Sequence, residues 1–296
     1  MEHDKVEKMD EKPQCPERRI FLKTMAGCAL GAAVSGIAPI GGATAAFKGK
    51  HLQVWSCGGL AEAMMPAHRL YEERTAVTID YTGAFAGALG KSLLGSAQTE
   101  VFAGRVLDLA KKLRQAGKMV YFKPLCFTSY VLVTPKGNPG KIREIGDIIG
   151  PGVRLVLAPD ASPPGGAAAL NILKKAGIFD QAMKNAVEKG TCVQRVMDTL
   201  LAGKGDVSIV ELRITRMADF VGKLEVIPIP EALFPPPPLT FTVGVMKYAK
   251  DRALADDYLS FLTSPPGQEF FERQGFIPAL SAKGQELIEK LGVKDV

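Results

Sequence analysis

The run His51-Leu52-Gln53-Val54-Trp55-Ser56-Cys57-Gly58-Gly59, followed at once by a helical pattern over residues 60–74, decides the class of fold. Apolar side chains alternate over 51–55, the period of a half-buried strand, and the paired glycines mark a turn before the period lengthens to that of a helix. The unit recurs downstream. Residues 76–81 read as a second strand, and a Gly-rich turn over 82–87 opens a helix that runs to Leu94. Residues 100–103 form a short strand ahead of a basic amphipathic helix at 106–116, and 119–134 is β-rich. Strand alternating with helix predicts an α/β fold of mostly parallel sheets covered by helices.

The second half follows the same logic with different residues. A strand at 153–158 runs into Pro159-Asp160-Ala161-Ser162-Pro163-Pro164-Gly165-Gly166, with a helix at 167–176. A further helix spans 192–202 and a strand 206–211. The run Pro235-Pro236-Pro237-Pro238 is a stiff, extended linker, because each ring fixes φ. A strand at 240–246 and helices at 252–262 and 266–273 complete the pattern. Three strand-to-helix junctions are rich in Gly or Ala. Open α/β sheets bind ligands at the carboxyl ends of their strands, where helix N-termini present unpaired N–H groups that favour a small anion.

Composition bounds the rest. The chain has 296 residues, 47% hydrophobic and 23% charged, enough to bury a sizeable core and to exclude disorder of the whole chain. Its net charge of +6 includes no block of like charges that would form a nucleic-acid arm. Arg18-Arg19-Ile20-Phe21-Leu22-Lys23 resembles a twin-arginine export signal, and the uncharged Ala/Gly-rich run over 24–45 ends in Ala43-Thr44-Ala45, a small-x-small cleavage site. Pro39 and Gly41-Gly42 interrupt that run, which argues for a cleaved leader over a membrane anchor. Lipidation at Cys28 would leave too short an apolar segment after the arginines. The mature chain then starts at Ala46 and keeps Cys57, Cys126 and Cys192, an odd number that in an oxidising compartment leaves at least one thiol of a monomer free or bound to something else.

The sequence also resembles a known family, the periplasmic solute-binding proteins of ABC importers, and within it the molybdate and tungstate binders. The resemblance rests on Val131-Leu132-Val133-Thr134-Pro135-Lys136-Gly137-Asn138-Pro139, on Phe261-Leu262-Thr263-Ser264-Pro265-Pro266-Gly267-Gln268 with Gly275-Phe276, and on Pro230-Glu231-Ala232-Leu233. It implies a two-lobed type II periplasmic binding protein fold with a hinge of two crossing strands. Lobe one would comprise residues 46–127 plus 239–296, and lobe two residues 128–238. It further implies a monomer that closes over a small oxyanion, molybdate or tungstate, and hands it to a membrane permease and its ATPase. No cofactor and no reaction on the solute are implied.

Carried over position by position, the resemblance gives a mixed ligand set. Cys57, Gly58 and Gly59 stand at the first junction, where the family has a Ser, and Ala86-Gly87 stand at the second, where it has another. Both hydroxyls are missing, each worth about 0.5–1.5 kcal/mol net. In lobe two the implied contacts are Ser162, Pro164, Gly165, the N–H of Val193, and Glu211. A carboxylate at 211 would repel a bare dianion unless its oxygen ligates the metal of the oxyanion directly, or unless the solute is a cation or carries a donor. The alternative is a salt bridge from Glu211 to Arg213 or Arg216.

Two competing readings stay open. Cys57 and Cys192 with Glu211 would suit a soft metal ion, and the same fold with Glu211 as counter-group would suit a small organic acid; against the metal stand the missing Cys-x-x-Cys and His-x-His spacings, which favour cysteines that are buried small hydrophobes. Cys57 before Gly58-Gly59 could also serve as a nucleophile, but no His partner is evident. His51 at a strand start and His68 on a helix exterior read as solvated.

Overall fold

A computed structural model describes residues 46–161, 165–235 and 239–296, all within one compact unit spanning Ile40–Val296. The leader, with Arg18-Arg19, Cys28 and the cleavage site, lies outside the described residues, as do Ser162, Pro163, Pro164 and 236–238 of the proline run.

The chain begins with β1 (His51–Cys57), α1 (Ala61–Thr75), β2 (Thr78–Ala84), α2 (Ala86–Leu94), β3 (Val101–Arg105), α3 (Leu107–Gln115) and β4 (Met119–Phe127). It then crosses into a second lobe of β5 (Tyr130–Pro135), β6 (Leu155–Leu157), α4 (Gly165–Lys175), α5 (Phe179–Lys184), β7 (Ala186–Lys189), α6 (Val193–Thr199), β8 (Ser208–Glu211) and β9 (Leu224–Pro228). It returns as β10 (Thr240–Met246), α7 (Arg252–Leu262), α8 (Pro265–Arg273), β11 (Ile277–Pro278) and α9 (Ala282–Leu291). The two crossings lie side by side: the Thr128 N–H donates to the Leu239 carbonyl at 2.8 Å. The chain thus passes between the two groups of strands twice, at neighbouring positions.

Local chemistry explains the element ends. Ala76, in the left-handed region at φ 54°, closes α1 with its N–H on the Glu72 carbonyl. Asp251 caps α7 by accepting the Leu254 N–H at 3.0 Å, and Ser281 caps α9 by accepting the Gly284 N–H at 3.0 Å. Ser264 precedes Pro265 and Pro266, which occupy the first turn of α8, where a missing N–H costs nothing. Gly267 is there because a Cβ would stand 2.1 Å from the Phe261 carbonyl oxygen.

The first sheet has the order β11-β4-β10-β3-β1-β2. Here the expectation of mostly parallel sheets fails. Only β1 runs parallel to its neighbours β2 and β3, whereas β10 is antiparallel to both β3 and β4, and β11 is antiparallel to β4. In the second lobe β5 is antiparallel to both β8 and β9, and the parallel pair is β6 with β7. The cause is the double crossing. A chain that leaves the first sheet and returns must insert its returning strand, and β10 does so against the direction of its neighbours. All seven residues of β10 are buried.

Separate apolar clusters back the first sheet and the strands of the second lobe. Leu52, Val54, Met64, Tyr71, Val243, Tyr258 and Leu259 form the heart of the first. Tyr130, Leu132, Leu155, Ile172, Leu173 and Ile209 form that of the second. His68 departs from expectation: it is 3% exposed, packed edge-on against Tyr81 with ring centroids 4.9 Å apart. Together with Met64, Ala67, Tyr71 and Thr75 it forms the buried stripe of α1, so it faces the core and not solvent. His51 is exposed, as its position at the strand start implies.

Candidate functional site

The carboxyl ends of β1, β3 and β8 bring together a group of charges that the sequence reading saw only in part. Glu211 ends β8 opposite Tyr130 in register and is 6% exposed. One carboxylate oxygen accepts from Arg213 Nε at 2.6 Å, and the other is ion-paired with Arg105. Arg105 comes from the end of β3 in the first lobe, is itself buried, donates to the Tyr130 hydroxyl at 3.2 Å, and lies over the Phe241 ring with 5.2 Å between guanidinium carbon and centroid. Burial pushes the Glu211 carboxyl up, but Arg105 and then Arg213 pull it down further and hold it at about 2. The carboxylate is therefore ionised at neutral pH. With two guanidinium groups around it, the cluster carries a net single positive charge.

The backbone holds Arg105 in place under strain. The next residue, Val106, adopts φ 74° and ψ 113°, a conformation that a β-branched side chain rarely takes and that costs on the order of 1–3 kcal/mol. Its N–H bonds to the Thr240 carbonyl at 3.0 Å, which pins the turn to the returning crossover strand. Such strain gathers at functional sites, where the surrounding structure over-determines the conformation.

Contacts between lobes complete the cluster. A Cβ on Gly59 would stand 3.3 Å from the Arg213 guanidinium carbon, so the first junction and the Arg213 side chain are in van der Waals contact. Gly275, at φ 79°, lies equally close to the backbone of Leu212 and Arg213. Cys57 is buried beside this group; burial pushes its thiol up, with Arg105 offsetting only part of the rise.

The expected contact residues divide accordingly. Cys57 and Gly59 meet the Glu211 cluster, and Gly58 packs against the Ala84 carbonyl at the end of β2, 3.5 Å from where its Cβ would be. Ala86 and Gly87 head α2, whose first N–H groups have no intrahelical acceptor, and Gly165 and Val193 head α4 and α6. Ser162 and Pro164 fall outside the described residues. The salt-bridge alternative for Glu211 holds with Arg213, directed inward and joined by Arg105, whereas Arg216 is exposed. Direct ligation of a metal by Glu211 would require it to leave one of these arginines.

Arg105 is the residue the sequence reading missed. Its signal was position: a charged side chain at the end of a strand, at the same edge as the three Gly/Ala-rich junctions. The cysteines follow the buried reading, since Cys57 and Cys126 are free and buried. Cys192 stands at the N-terminal end of α6, just before Val193. Among the described residues no group of three or more His, Cys, Asp or Glu side chains could hold a metal ion, and no helix is long and apolar enough to cross a membrane.

A cavity of about 450 Å³ opens at the amino end of β1, away from this edge. Polar pairs line it: Lys50 with Asp251 at 2.5 Å, His51 with Asp80 at 3.2 Å, and buried Glu100 with the N–H groups of Gln53 and Lys250 at 2.8 Å each.

Comparison with known proteins agrees with the architecture. The molybdate-binding protein ModA of Mycobacterium bovis is 25% identical over 202 residues, covering 68% of this chain and 74% of that protein. The putative ABC transporter substrate-binding lipoprotein YvgL of Bacillus subtilis is 24% identical over 231 residues, covering 76% of this chain and 85% of the relative. Among solved structures, the substrate-binding domain of a putative molybdenum ABC transporter from Clostridium difficile superposes with a TM-score of 0.68 at 22% identity, covering 77% of this chain and 98% of that one. The shared fold is that of the type II periplasmic binding proteins. The family model for bacterial extracellular solute-binding proteins matches residues 52–277, and the chain belongs to that family.

Proposed function

We propose that the chain is the extracytoplasmic binding component of an ABC importer and that its solute is a small oxyanion, with molybdate and tungstate the first candidates. The observation that carries this reading is the pair of guanidinium groups, Arg105 from one lobe and Arg213 from the other, meeting at the carboxyl edge of both sheets. Charged donors arranged in this way recognise oxyanions, and the helix heads at Ala86 and Gly165 add backbone N–H groups of the same polarity. Solute held between the lobes stabilises the closed form over the open one, and a permease with its ATPase reads that form. The lobes are residues 46–127 plus 239–296, and residues 128–238. The twin-arginine leader, cleaved near Ala45, delivers a monomer to the periplasm. The molybdate-binding names of the relatives support the oxyanion, and their names as binding proteins support a transport role.

A second reading, a small organic acid, has one specific observation in its favour: the arginine pair already holds a carboxylate, that of Glu211. Thermal unfolding of the mature protein with molybdate, tungstate, sulfate, phosphate, small carboxylates, Cu(I) and Zn(II) separates the readings. A solute bound only by the folded state at 100 times its Kd adds about 2.7 kcal/mol of stability. The expected result is a rise in melting temperature with molybdate or tungstate that disappears in Arg105→Ala. A rise with carboxylates alone selects the organic acid, and a rise with soft metals alone sinks both anion readings.

A further inference from the structure

We propose that Glu211 is a tethered internal anion that occupies the solute's place on Arg105 and Arg213, and that it sets specificity by admitting only anions able to displace it. The inference rests on the oxyanion reading above and goes further, to the charge class that the site accepts.

Three observations carry it. Both oxygens of Glu211 are engaged by the two arginines that converge on the cleft, so these anion-holding groups are met by an anion of the chain's own. The ion pair with Arg105 joins the second lobe to the first, and Gly59 closes against Arg213 in the same place, which makes Glu211 the bond that a solute would otherwise supply between lobes. Finally, Glu211 is 6% exposed, Arg105 and Arg213 are the cations that act on it most strongly, and the neighbouring Tyr130 hydroxyl and Cys57 thiol stay protonated at physiological pH because burial raises them.

The consequence is competition. A carboxylate attached to the protein acts at an effective concentration on the order of millimolar or more, so a free anion of equal charge and fewer contacts loses to it. A divalent tetrahedral oxyanion brings twice the charge and four acceptor oxygens, and it can take the guanidinium groups away. Glu211 thus excludes monovalent anions such as nitrate, chloride and acetate, and weakens divalent anions without excluding them. This is specificity by an unfavourable alternative, not by an added contact.

Titration calorimetry on the mature protein and on Glu211→Gln, with molybdate and sulfate as divalent probes and nitrate and acetate as monovalent ones, tests it. The wild type is expected to bind a divalent probe and neither monovalent probe. Glu211→Gln is expected to tighten the divalent probe by about tenfold or more and to gain measurable binding of a monovalent one. If Glu211 instead serves only to hold the arginines in position, the variant binds every anion more weakly, and the proposal is overturned. Should Glu211→Gln fail to fold, Glu211→Asp keeps the charge on a shorter arm that cannot span both guanidinium groups; a tighter divalent probe supports the proposal, and an unchanged or weaker one refutes it. A wild type that binds no anion at all removes the oxyanion reading itself, and the inference with it.

Discussion

Acidification should destabilise this protein through one histidine, well before its carboxylates titrate. His68 lies in the stripe of α1 buried against the first sheet, packed between Tyr81 and Tyr258. Burial and then the charge of Arg69 lower its pKa from 6.5 to about 3. The unfolded chain therefore takes up a proton below about pH 6.5 that the folded chain refuses, and stability falls as pH drops through that value. One pKa unit corresponds to about 1.4 kcal/mol, so moving from about pH 7 to about pH 4.5 removes about 2.5 kcal/mol through His68 alone. Over the same interval Glu211, held at about 2, removes only a few tenths of a kcal/mol, because its loss begins near the unfolded value of 4.5 and continues below it. The perturbation is His68→Phe, which keeps the aromatic packing and removes both the titration and a buried ring nitrogen that has no hydrogen-bond partner. Urea unfolding of both proteins at the two pH values gives four free energies, and their double difference isolates the histidine. The expected outcome is a loss of about 2.5 kcal/mol more in the wild type than in the variant. Equal losses in the two proteins would refute the reasoning, because they would place the acid sensitivity elsewhere.

Three further outcomes follow from packing and polar satisfaction. Gly267→Ala pushes a Cβ into the Phe261 carbonyl and the Leu262 backbone, neither of which can yield, so it should cost about 3 kcal/mol or more, seen as a fall in Tm of several degrees. Glu100→Ala strands the N–H groups of Gln53 and Lys250 and should cost about 2–4 kcal/mol in urea unfolding; a change under about 0.5 kcal/mol would show that neither bond matters. Gly59→Ala meets only the tip of the Arg213 side chain, which can move, so Tm should stay within about 2 degrees while affinity for the bound anion drops several-fold; unchanged affinity would remove Arg213 from the site.

What could be read from the sequence, and what could not, divides along local and non-local information. Strand β10 and helices α7 and α8 were legible because their signals are their own: continuous burial-prone Thr and Val in the strand, Asp251 as a cap, and Ser264 before two prolines. Strands β7 and β9 were not, since Ala-Val-Glu-Lys and Leu-Glu-Val-Ile-Pro are short sheet-edge segments with no fully buried residue. Strand direction was misread for a similar reason. The period of a strand says how it is buried and nothing about its neighbour, and the partners of β10 lie more than a hundred residues earlier in the chain. Arg105 was passed over because a charged residue at a strand end ordinarily faces water; its burial depends on Glu211, brought to it only by the folded arrangement of the two lobes. His68 could have been recognised, since Met64, Ala67 and Tyr71 stand at helical spacing around it.

The position of β10 also dictates an order of events at synthesis. The second lobe is built from one continuous stretch, so every partner it needs has been made before its last strand leaves the ribosome. The first sheet lacks its central strand until residues 240–246 are made, and until then β3 and β4 present bare edges where a foreign strand could pair. A nascent chain stalled before Thr240 would therefore carry one finished half and one open half. The final fifth of the polypeptide is what makes the protein safe from self-association.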